Sequence, residues 1–385
     1  MASDRSPFDR EPHVLVTGGS GYLGQFLVQK LQKSYKVGFT HHSSSPPSLG
    51  TSKAFWVDLK DGSGLEQCLE AMHPLAAIIN TAGITSPAIC ERHPETARKV
   101  HVPFHLLKAV AAYRDKHGKC PLFIQLSTDL VFDGNQAHWT ESDACKPINV
   151  YGRTKLEAEQ LLQAQWPHHV ILRSSIIYGP NSPQPVSRRL FLQFVDGALR
   201  DGPPTTFFAD EWRSPIYVHD ICRICEALLQ IEAAGQKLAT GHQLLHMGGP
   251  ERLSRLDMAR LVALHWHRSS DNILSASAAS MTDRGVASPP DVSMDSGLLQ
   301  RVLGIEVTCF AEALDDMQQE PRVGNAGRNG TQGQASEGDE HRFNSPPERM
   351  GVRVLNSRQS ARLREVSCDK GHRSGDTSPL TPRDS

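Results

Sequence analysis

A glycine-rich turn between a short apolar run and a helical pattern is the strongest constraint on how this chain can fold. The run His13–Thr17 is apolar and β-branched, which is typical of a buried strand. Gly18, Gly21 and Gly24 follow at intervals of three, and apolar residues at helical spacing come next. A strand, glycines and a helix in this order predict a site for a dinucleotide pyrophosphate. Each glycine permits a sharp turn or a close approach that a Cβ would block.

The start of this first helix predicts where the cofactor phosphates bind. Amides there are not used within the helix, and the helix dipole favours negative charge at its beginning. The residues assigned to this part of the site are Gly18, Ser20, Gly21, Tyr22, Leu23 and Gly24. The predicted fourth strand ends nearby, and we expect Ala82 and Gly83 after it to let the backbone pass close under the cofactor.

The end of the second predicted strand bears on the choice between NAD(H) and NADP(H). An acid there would bind the ribose 2′-hydroxyl of NAD, but this chain has Thr40, His41 and His42. We therefore expect NADP(H) rather than NAD(H), although no arginine is present to bind a 2′-phosphate. Asp58, with Leu59 beside it, is a second candidate contact: its carboxylate either accepts from the adenine amine or caps a turn.

Alternation of strand-like and helical patterns up to about residue 174 predicts the fold class. It implies a doubly wound α/β structure, with a parallel sheet covered by helices on both faces. We predict strands at 13–17, 35–40, 54–57, 76–80, 122–127 and 169–173, and helices at 22–34, 63–72, 94–117 and 151–165. Ligands of such sheets bind at the carboxyl ends of the strands, so Thr17, Asn80, Thr128 and Ser174 should converge on one crevice.

The pattern changes after residue 175 and predicts a second region. We expect residues 13–175 to form the cofactor-binding Rossmann domain and residues 176–318 a smaller substrate-binding lobe, with some elements returning to the first domain. In the lobe we predict helices at 187–200, 220–234, 254–267 and 296–303, and a strand near 243–247. Residues 1–12 are expected to be a disordered leader. Residues 319–385 are poor in apolar side chains and are predicted to be disordered, because they cannot bury enough surface to offset ordering entropy.

Composition excludes several classes of partner. The 385 residues carry a net charge of −1, which argues against a general electrostatic attraction to nucleic acid or membranes. No apolar run is long enough to span a bilayer, and the leader lacks a signal core, so we expect a cytoplasmic protein. The eight cysteines are scattered, and Cys222 and Cys225 form the sole C-x-x-C pair. Without a second pair at zinc-site spacing we assign no metal.

A second motif, Tyr151-Gly-Arg-Thr-Lys155, supplies acid–base chemistry. Residues four apart lie on the same face of a helix. A lysine ammonium beside a phenol favours the phenolate and lowers the pKa of the tyrosine, which is otherwise about 10. Tyr151 could then exchange a proton with a substrate oxygen. Thr128, at the end of the fifth predicted strand, could donate a hydrogen bond to the same oxygen.

Several longer motifs carry a resemblance to a known family. They span 127–134 (STDLVFDG), 139–143 (WTESD), 147–159 (PINVYGRTKLEAE) and 172–179 (LRSSIIYG). Over about 13–317 the chain resembles the extended short-chain dehydrogenases/reductases. It is most similar to the dTDP-4-dehydrorhamnose reductase branch, which includes the regulatory beta subunit of methionine adenosyltransferase. The resemblance implies Thr128, Tyr151 and Lys155 as the catalytic triad, and a cofactor site at the glycine turn and near Ala82 and Gly83.

Two departures from the family pattern affect what can be carried over. His101 stands where the family usually has Asn, a residue that helps hold a water or the helix geometry. Residues 212–215 (WRSP) differ from the reductase pattern, so the resemblance does not by itself imply a nucleotide-sugar substrate. Arg188 and Arg189 are either contacts for a substrate diphosphate or solvated surface residues.

Two functions from different classes fit this sequence. One is NADPH-dependent reduction of a keto group, with a 4-keto-6-deoxy nucleotide sugar as the expected substrate and an unrelated small ketone left open. The other is an NADP-binding regulatory subunit, whose partner would be the catalytic subunit of methionine adenosyltransferase. The triad does not decide between them, because the same fold and residues can serve either role.

Overall fold

The computed structural model describes residues 12–319, apart from 43–44, 187–189, 237, 239–240 and 282–284. The greater part of the predicted leader (residues 1–11) and of the predicted tail (residues 320–385) lies outside the described residues. Arg188 and Arg189 also lie outside them.

The strands of the described chain are short, and most of them lie in one sheet. They are β1 (His13–Thr17), β2 (Lys36–His41), β3 (Lys53–Trp56), β4 (Leu75–Asn80), β5 (Leu122–Thr128), β6 (His169–Ser174), β7 (Ile177–Tyr178), β8 (Thr205–Phe208), β9 (Trp212–Arg213), β10 (Ile216–Tyr217), β11 (Leu244–Met247), β12 (Leu253–Ser254) and β13 (Ile273–Ala276).

Helices connect these strands along the whole described chain. They are α1 (Tyr22–Leu31), α2 (Leu65–Ala71), α3 (Pro87–Arg92), α4 (Pro94–His101), α5 (Phe104–His117), α6 (Val150–Gln165), α7 (Phe191–Asp201), α8 (Val218–Ala233), α9 (Arg255–His265), α10 (Gly297–Leu303) and α11 (Phe310–Gln319).

The main sheet of the described residues has seven parallel strands in the order β11-β6-β5-β4-β1-β2-β3. Alternate side chains of β1 enter different cores: Val14 and Val16 pack in one, and Leu15 packs in the other. This is the period of two that a strand covered on both faces requires. The predicted doubly wound α/β fold is confirmed, and strand order reverses between β1 and β4.

Two of the residues predicted to converge at the strand ends, Thr17 and Asn80, meet at this reversal. Thr17 lies opposite Asn80 in the register of β1 and β4, and its hydroxyl donates to the Asn80 amide oxygen. The Asn80 amide nitrogen in turn donates to Gln125 Oε1 on β5 at 2.8 Å. All of these side chains are buried. Ligand sites in open α/β sheets lie at such reversals, beyond the carboxyl ends of the strands.

The long helix predicted over 94–117 is wrong in one respect, because the structure has two helices there. α4 ends at His101, Val102 is extended (φ −81°, ψ 112°), and α5 begins after Pro103. Proline lacks an amide hydrogen and disfavours helical backbone in the residue before it. The pattern of apolar residues continued across this break, so periodicity alone did not reveal it. Helix α3 was also not predicted, although Pro87 is its first residue.

The second half of the described chain contributes to the main sheet and to small accessory sheets. Strand β11, predicted near 243–247, pairs with β6 in the main sheet. Strand β7 pairs with β10, β9 with β12 and β8 with β13. The division of the chain near residue 175 stays a prediction. Within the described residues, no helix has the length and apolar character that crossing a membrane requires.

Candidate functional site

The glycine turn after β1 has the shape that a pyrophosphate site needs. Gly18 has a φ of +69°, and a Cβ on it would lie 2.7 Å from the Cα of Ala82. Its amide donates to Thr40 Oγ1 at 3.0 Å, which ties the turn to β2. Gly21 precedes α1 without a capping side chain, and the first turn of α1 has no acidic residue. Nothing negative therefore opposes an anion at the positive end of the helix dipole.

The other residues assigned to this turn are held by different contacts. Leu23 is buried in the core, so it can reach a phosphate only through its backbone amide. The Tyr22 hydroxyl donates to the Pro180 carbonyl at 2.8 Å, and the Ser20 carbonyl accepts from Gln25. A Cβ on Gly24 would lie 2.4 Å from the Gly18 carbonyl oxygen. Gly24 therefore lets α1 pack on the turn itself.

At the end of β2 the candidate nucleotide contacts form a charged cluster. His42 Nε2 and Lys60 Nζ each lie 3.2 Å from Asp58 Oδ2, and the Lys60 amide donates to Asp58 Oδ1 at 2.8 Å. Partial burial works to raise the pKa of Asp58, but the hydrogen bonds from Lys60 and the charge of His42 hold it below its ordinary value. Asp58 caps the turn after β3, whereas Leu59 is partly buried against the second core.

Five residues predicted from three separate segments of the sequence line one cavity at the carboxyl edge of the sheet. It is lined among others by Ala82, Gly83, Thr128, Tyr151 and Lys155. Ala82 also lies against Gly18, so the glycine turn borders this group. Asp58 and Leu59 are not among the residues that line the cavity. The structure thus brings the predicted triad together with the loop after β4.

Helix α6 is positioned by its first turn. Asn149 caps it, because the Asn149 side chain accepts from the Gly152 amide at 2.8 Å. A Cβ on Gly152 would lie 2.1 Å from the Leu130 carbonyl oxygen. Glycine at this position is what allows Tyr151 to approach the segment that follows Thr128. The sequence Tyr-Gly in the motif was a signal for this contact that we did not use.

Lys155 is a buried cation within the site. Its side chain is almost fully buried, and Nζ donates to the Leu126 carbonyl oxygen at 2.5 Å. Burial lowers the pKa of Lys155 to about 8, against the opposing charge of Glu159. Lys155 lies one helical turn from Tyr151 on the same helix. This is the arrangement that stabilises a phenolate and favours proton exchange by a tyrosine near neutral pH.

The hydroxyl of Thr128 is engaged differently from what we expected. Thr128 Oγ1 donates to Asp129 Oδ1 at 3.0 Å and accepts from the Leu130 amide at 3.2 Å. Ser175, which also lines the cavity, donates to the other oxygen of Asp129 at 2.8 Å. Burial raises the pKa of Asp129, and the charge of Arg213 opposes this. To donate to a substrate oxygen, the Thr128 hydroxyl has to turn away from Asp129.

A buried ion pair behind the site was not predicted. Arg173 on β6 donates to both carboxylate oxygens of Glu159 on α6, at 3.0 Å from Nε and 2.7 Å from Nη2. The Ser127 hydroxyl donates to Glu159 as well. These residues link α6 to the ends of β5 and β6, on which Thr128 and Ser174 lie. Each occurs in a motif quoted above, but nothing in the spacing of charges along a sequence shows that two of them pair.

The predicted absence of a metal site concerns clusters of metal-ligating side chains. Among the described residues no three His, Cys, Asp or Glu side chains are grouped to hold an ion. Cys222 and Cys225 are buried on α8, as their helical spacing predicts. Burial raises the pKa of both thiols.

The sequence that forms this site matches a known family of proteins. The family described as RmlD substrate binding domain matches residues 12–323. This chain belongs to that family. The match begins just before β1 and extends past α11, so it covers both the cofactor-binding region and the predicted substrate lobe.

Individual members of the family have different described roles. The methionine adenosyltransferase 2 subunit beta of Danio rerio is 26% identical over 310 residues, covering 79% of this chain and 89% of that protein. The dTDP-4-dehydrorhamnose reductase of Salmonella typhimurium is 34% identical over 128 residues, covering 33% of this chain and 41% of that protein. The crystal structure of a dTDP-4-dehydrorhamnose reductase from Bacillus anthracis, in complex with NADP, shares the fold. Its TM-score is 0.66 at 20% identity, and the match covers 81% of this chain and all of that one.

Proposed function

We propose that this chain is an NADPH-dependent reductase of a keto group, and that its substrate is a 4-keto-6-deoxy nucleotide sugar. The observation that carries the proposal is the meeting of Tyr151 and Lys155 with the loop Ala82–Gly83 in one cavity beside the glycine turn. The cofactor fits this chain because no side chain caps the start of α1 and the first turn of α1 has no acidic residue.

The choice of NADP(H) over NAD(H) is supported by the end of β2. The carboxylate of Asp58, which bonds to His42 at the end of β2, also accepts from Lys60. These two basic residues favour a 2′-phosphate over a bare hydroxyl. The affinities for NADPH and NADH, measured side by side, test this choice. Tighter binding of NADH contradicts it.

The residues of the cavity have separate roles in the proposed reaction. When bound, the reduced nicotinamide supplies hydride to the carbonyl carbon. Tyr151 donates its phenolic proton to the carbonyl oxygen, so that the product is an alcohol. The buried ammonium of Lys155 stabilises the phenolate that remains, since opposite charges attract strongly where water is excluded. The proposed roles also include a hydrogen bond from Lys155 to the cofactor ribose, and Thr128 orients the carbonyl oxygen once its hydroxyl turns from Asp129.

The test is turnover with a panel of keto sugars and NADPH, followed by absorbance of the cofactor. We expect Tyr151→Phe to lower kcat by 10²–10⁴-fold, about the usual contribution of a positioned acid, while NADPH still binds. Tyr35→Phe is a matched control, because Tyr35 lies just before β2 and does not line the cavity. Equal turnover by wild type and Tyr151→Phe would contradict the proposed role.

A second candidate is a regulatory subunit of methionine adenosyltransferase. The match to the Danio rerio beta subunit over 79% of this chain favours it. In that case the chain binds the catalytic subunit, and its cavity holds NADP(H) without turning over a sugar. Co-purification with a methionine adenosyltransferase catalytic subunit, measured beside the keto-sugar panel, separates the two. Stoichiometric complex without turnover supports the regulator, and Tyr151→Phe should leave that complex intact.

A further inference from the structure

His101, the last residue of α4, is buried with both ring nitrogens engaged. Nδ1 lies 2.7 Å from Thr154 Oγ1 on α6. Nε2 lies 3.0 Å from the Ile84 amide nitrogen and 3.2 Å from the Ile84 carbonyl oxygen, in the loop after β4. Only 1% of the residue is exposed. One side chain therefore bridges the loop that borders the cofactor turn and the helix that carries Tyr151.

One tautomer satisfies Thr154 and the Ile84 amide together. With the proton on Nδ1, the ring donates to Thr154 Oγ1, and Nε2 accepts from the Ile84 amide. The Thr154 hydroxyl then donates to the carbonyl of Val150 or Tyr151, each 3.0 Å away. Burial, followed by the charge of Lys155, lowers the pKa of His101 to about 3. The ring is therefore uncharged at neutral pH.

The ring also touches the cavity itself. Its edge packs on the Tyr151 ring, with centroids 5.3 Å apart and an interplanar angle of 84°. A Cβ placed on Gly83 would lie 3.4 Å from His101 Cδ2, so the ring supports the loop from behind. Displacing His101 would therefore move the loop and the phenol relative to each other.

We propose that His101 is a positioning residue that fixes the spacing between the loop Gly83–Ile84 and the first turn of α6. A nicotinamide held against the loop then meets the Tyr151 phenol at a reactive distance. The proposal rests on the cofactor site of the proposed function. It assigns His101 no proton transfer, because both of its nitrogens are used in holding the loop and the helix.

Two substitutions of His101 remove its hydrogen bonds to Thr154 and to Ile84 one at a time. In His101→Asn the amide reaches the place of Nδ1, so the bond to Thr154 is kept and the bond to Ile84 is lost. In His101→Gln a polar atom reaches the place of Nε2, so the bond to Ile84 is kept and the bond to Thr154 is lost. Thr154→Val removes the helix bond at nearly constant shape. His105→Leu, on α5, is a control outside the cavity lining.

Cofactor binding and turnover should respond differently to the two bonds. We expect His101→Asn to weaken NADPH binding about 10-fold, the equivalent of one lost hydrogen bond. His101→Gln and Thr154→Val should bind NADPH within about 3-fold of wild type but lower kcat, because Tyr151 is less well placed. Rescue of NADPH affinity by Gln but not Asn is a result that mere loss of stability does not produce. Equal NADPH affinities of His101→Asn and His101→Gln would overturn the proposal.

Hydrogen exchange of the cofactor-free chain keeps this test independent of the proposed function. The Ile84 amide should exchange faster in His101→Asn than in wild type, and near the wild-type rate in His101→Gln. Unchanged protection of Ile84 in His101→Asn would refute the bridge. A wild-type chain that binds neither NADPH nor NADH would instead refute the proposed cofactor site, while the exchange result would still decide the role of His101 in the loop.

Discussion

The buried ammonium of Lys155 makes the stability of this protein depend on pH in a defined window. The ordinary lysine pKa of 10.5 falls to about 8 in the folded chain, chiefly through burial. Between these values the unfolded chain binds more protons than the folded chain, so stability rises with pH. Below pH 8 Lys155 is charged in both states, and the full cost of burying its charge, about 3 kcal/mol, is present.

Replacing Lys155 with methionine removes this titration while keeping the length of the side chain. From pH 7 to pH 10 the wild type should gain about 2–3 kcal/mol of stability relative to Lys155→Met, by integration of the linkage relation. The absolute difference at pH 7 is less informative, because the variant also removes the hydrogen bond from Lys155 to the Leu126 carbonyl, worth about 1–3 kcal/mol, although Gln125 Nε2 still donates to that oxygen at 2.9 Å. The change in this stability difference from pH 7 to pH 10 does not contain that constant contribution.

Urea unfolding at pH 7, 8, 9 and 10, followed by tryptophan fluorescence, measures this change. Lys108→Met, which replaces an exposed lysine on α5, is the matched control and should stay within about 0.5 kcal/mol of wild type at each pH. Repeating the pair in a Tyr151→Phe background removes the neighbouring phenol from the comparison. A constant difference between wild type and Lys155→Met from pH 7 to pH 10 would refute the assignment of a buried cation to this site.

Two further variants test the supports of the site. Arg173→Met should cost about 3–5 kcal/mol in urea unfolding, because it strands the buried Glu159 carboxylate, and adding Glu159→Met should recover part of that loss; simple additivity of the two changes would contradict a buried pair. Gly152→Ala should cost about 1–3 kcal/mol and lower turnover, because its Cβ would lie 2.1 Å from the Leu130 carbonyl oxygen; a thermal unfolding curve equal to that of wild type would contradict this close approach.

The parts of the fold that depend on short-range patterns could be predicted from the sequence. The alternation of strand-like and helical patterns predicted the parallel sheet. The position of Gly18 after β1 predicted a sharp turn, and Gly18 has a φ of +69° there. Pro103 was a signal for the break between α4 and α5, but the continuous apolar spacing led us to predict a single helix. The short strands β7, β9, β10 and β12 have two residues each, which is too few for any periodicity to indicate.

The same distinction between short-range patterns and packing applies to the candidate site. Tyr151 and Lys155 share a helix, so their proximity followed from their spacing. The bonds of Thr128 to Asp129 and of His101 to Thr154 depend on rotamers and on which strands are neighbours. Rotamers and strand neighbours are determined when the chain packs, so the pattern of a single sequence does not predict these hydrogen bonds. The same holds for Asp58, where the structure shows the turn cap that we had left as one of two alternatives.

Titration of the purified full-length chain with NADPH and NADH, followed by nicotinamide fluorescence and melting temperature, is the most direct test of the central claim. We predict saturable binding of one NADPH per chain, a raised melting temperature through ligand linkage, and loss of both in Gly18→Val. That variant puts a branched side chain at a φ of +69°, against Ala82. A chain whose fluorescence and melting temperature respond to neither cofactor would contradict the account.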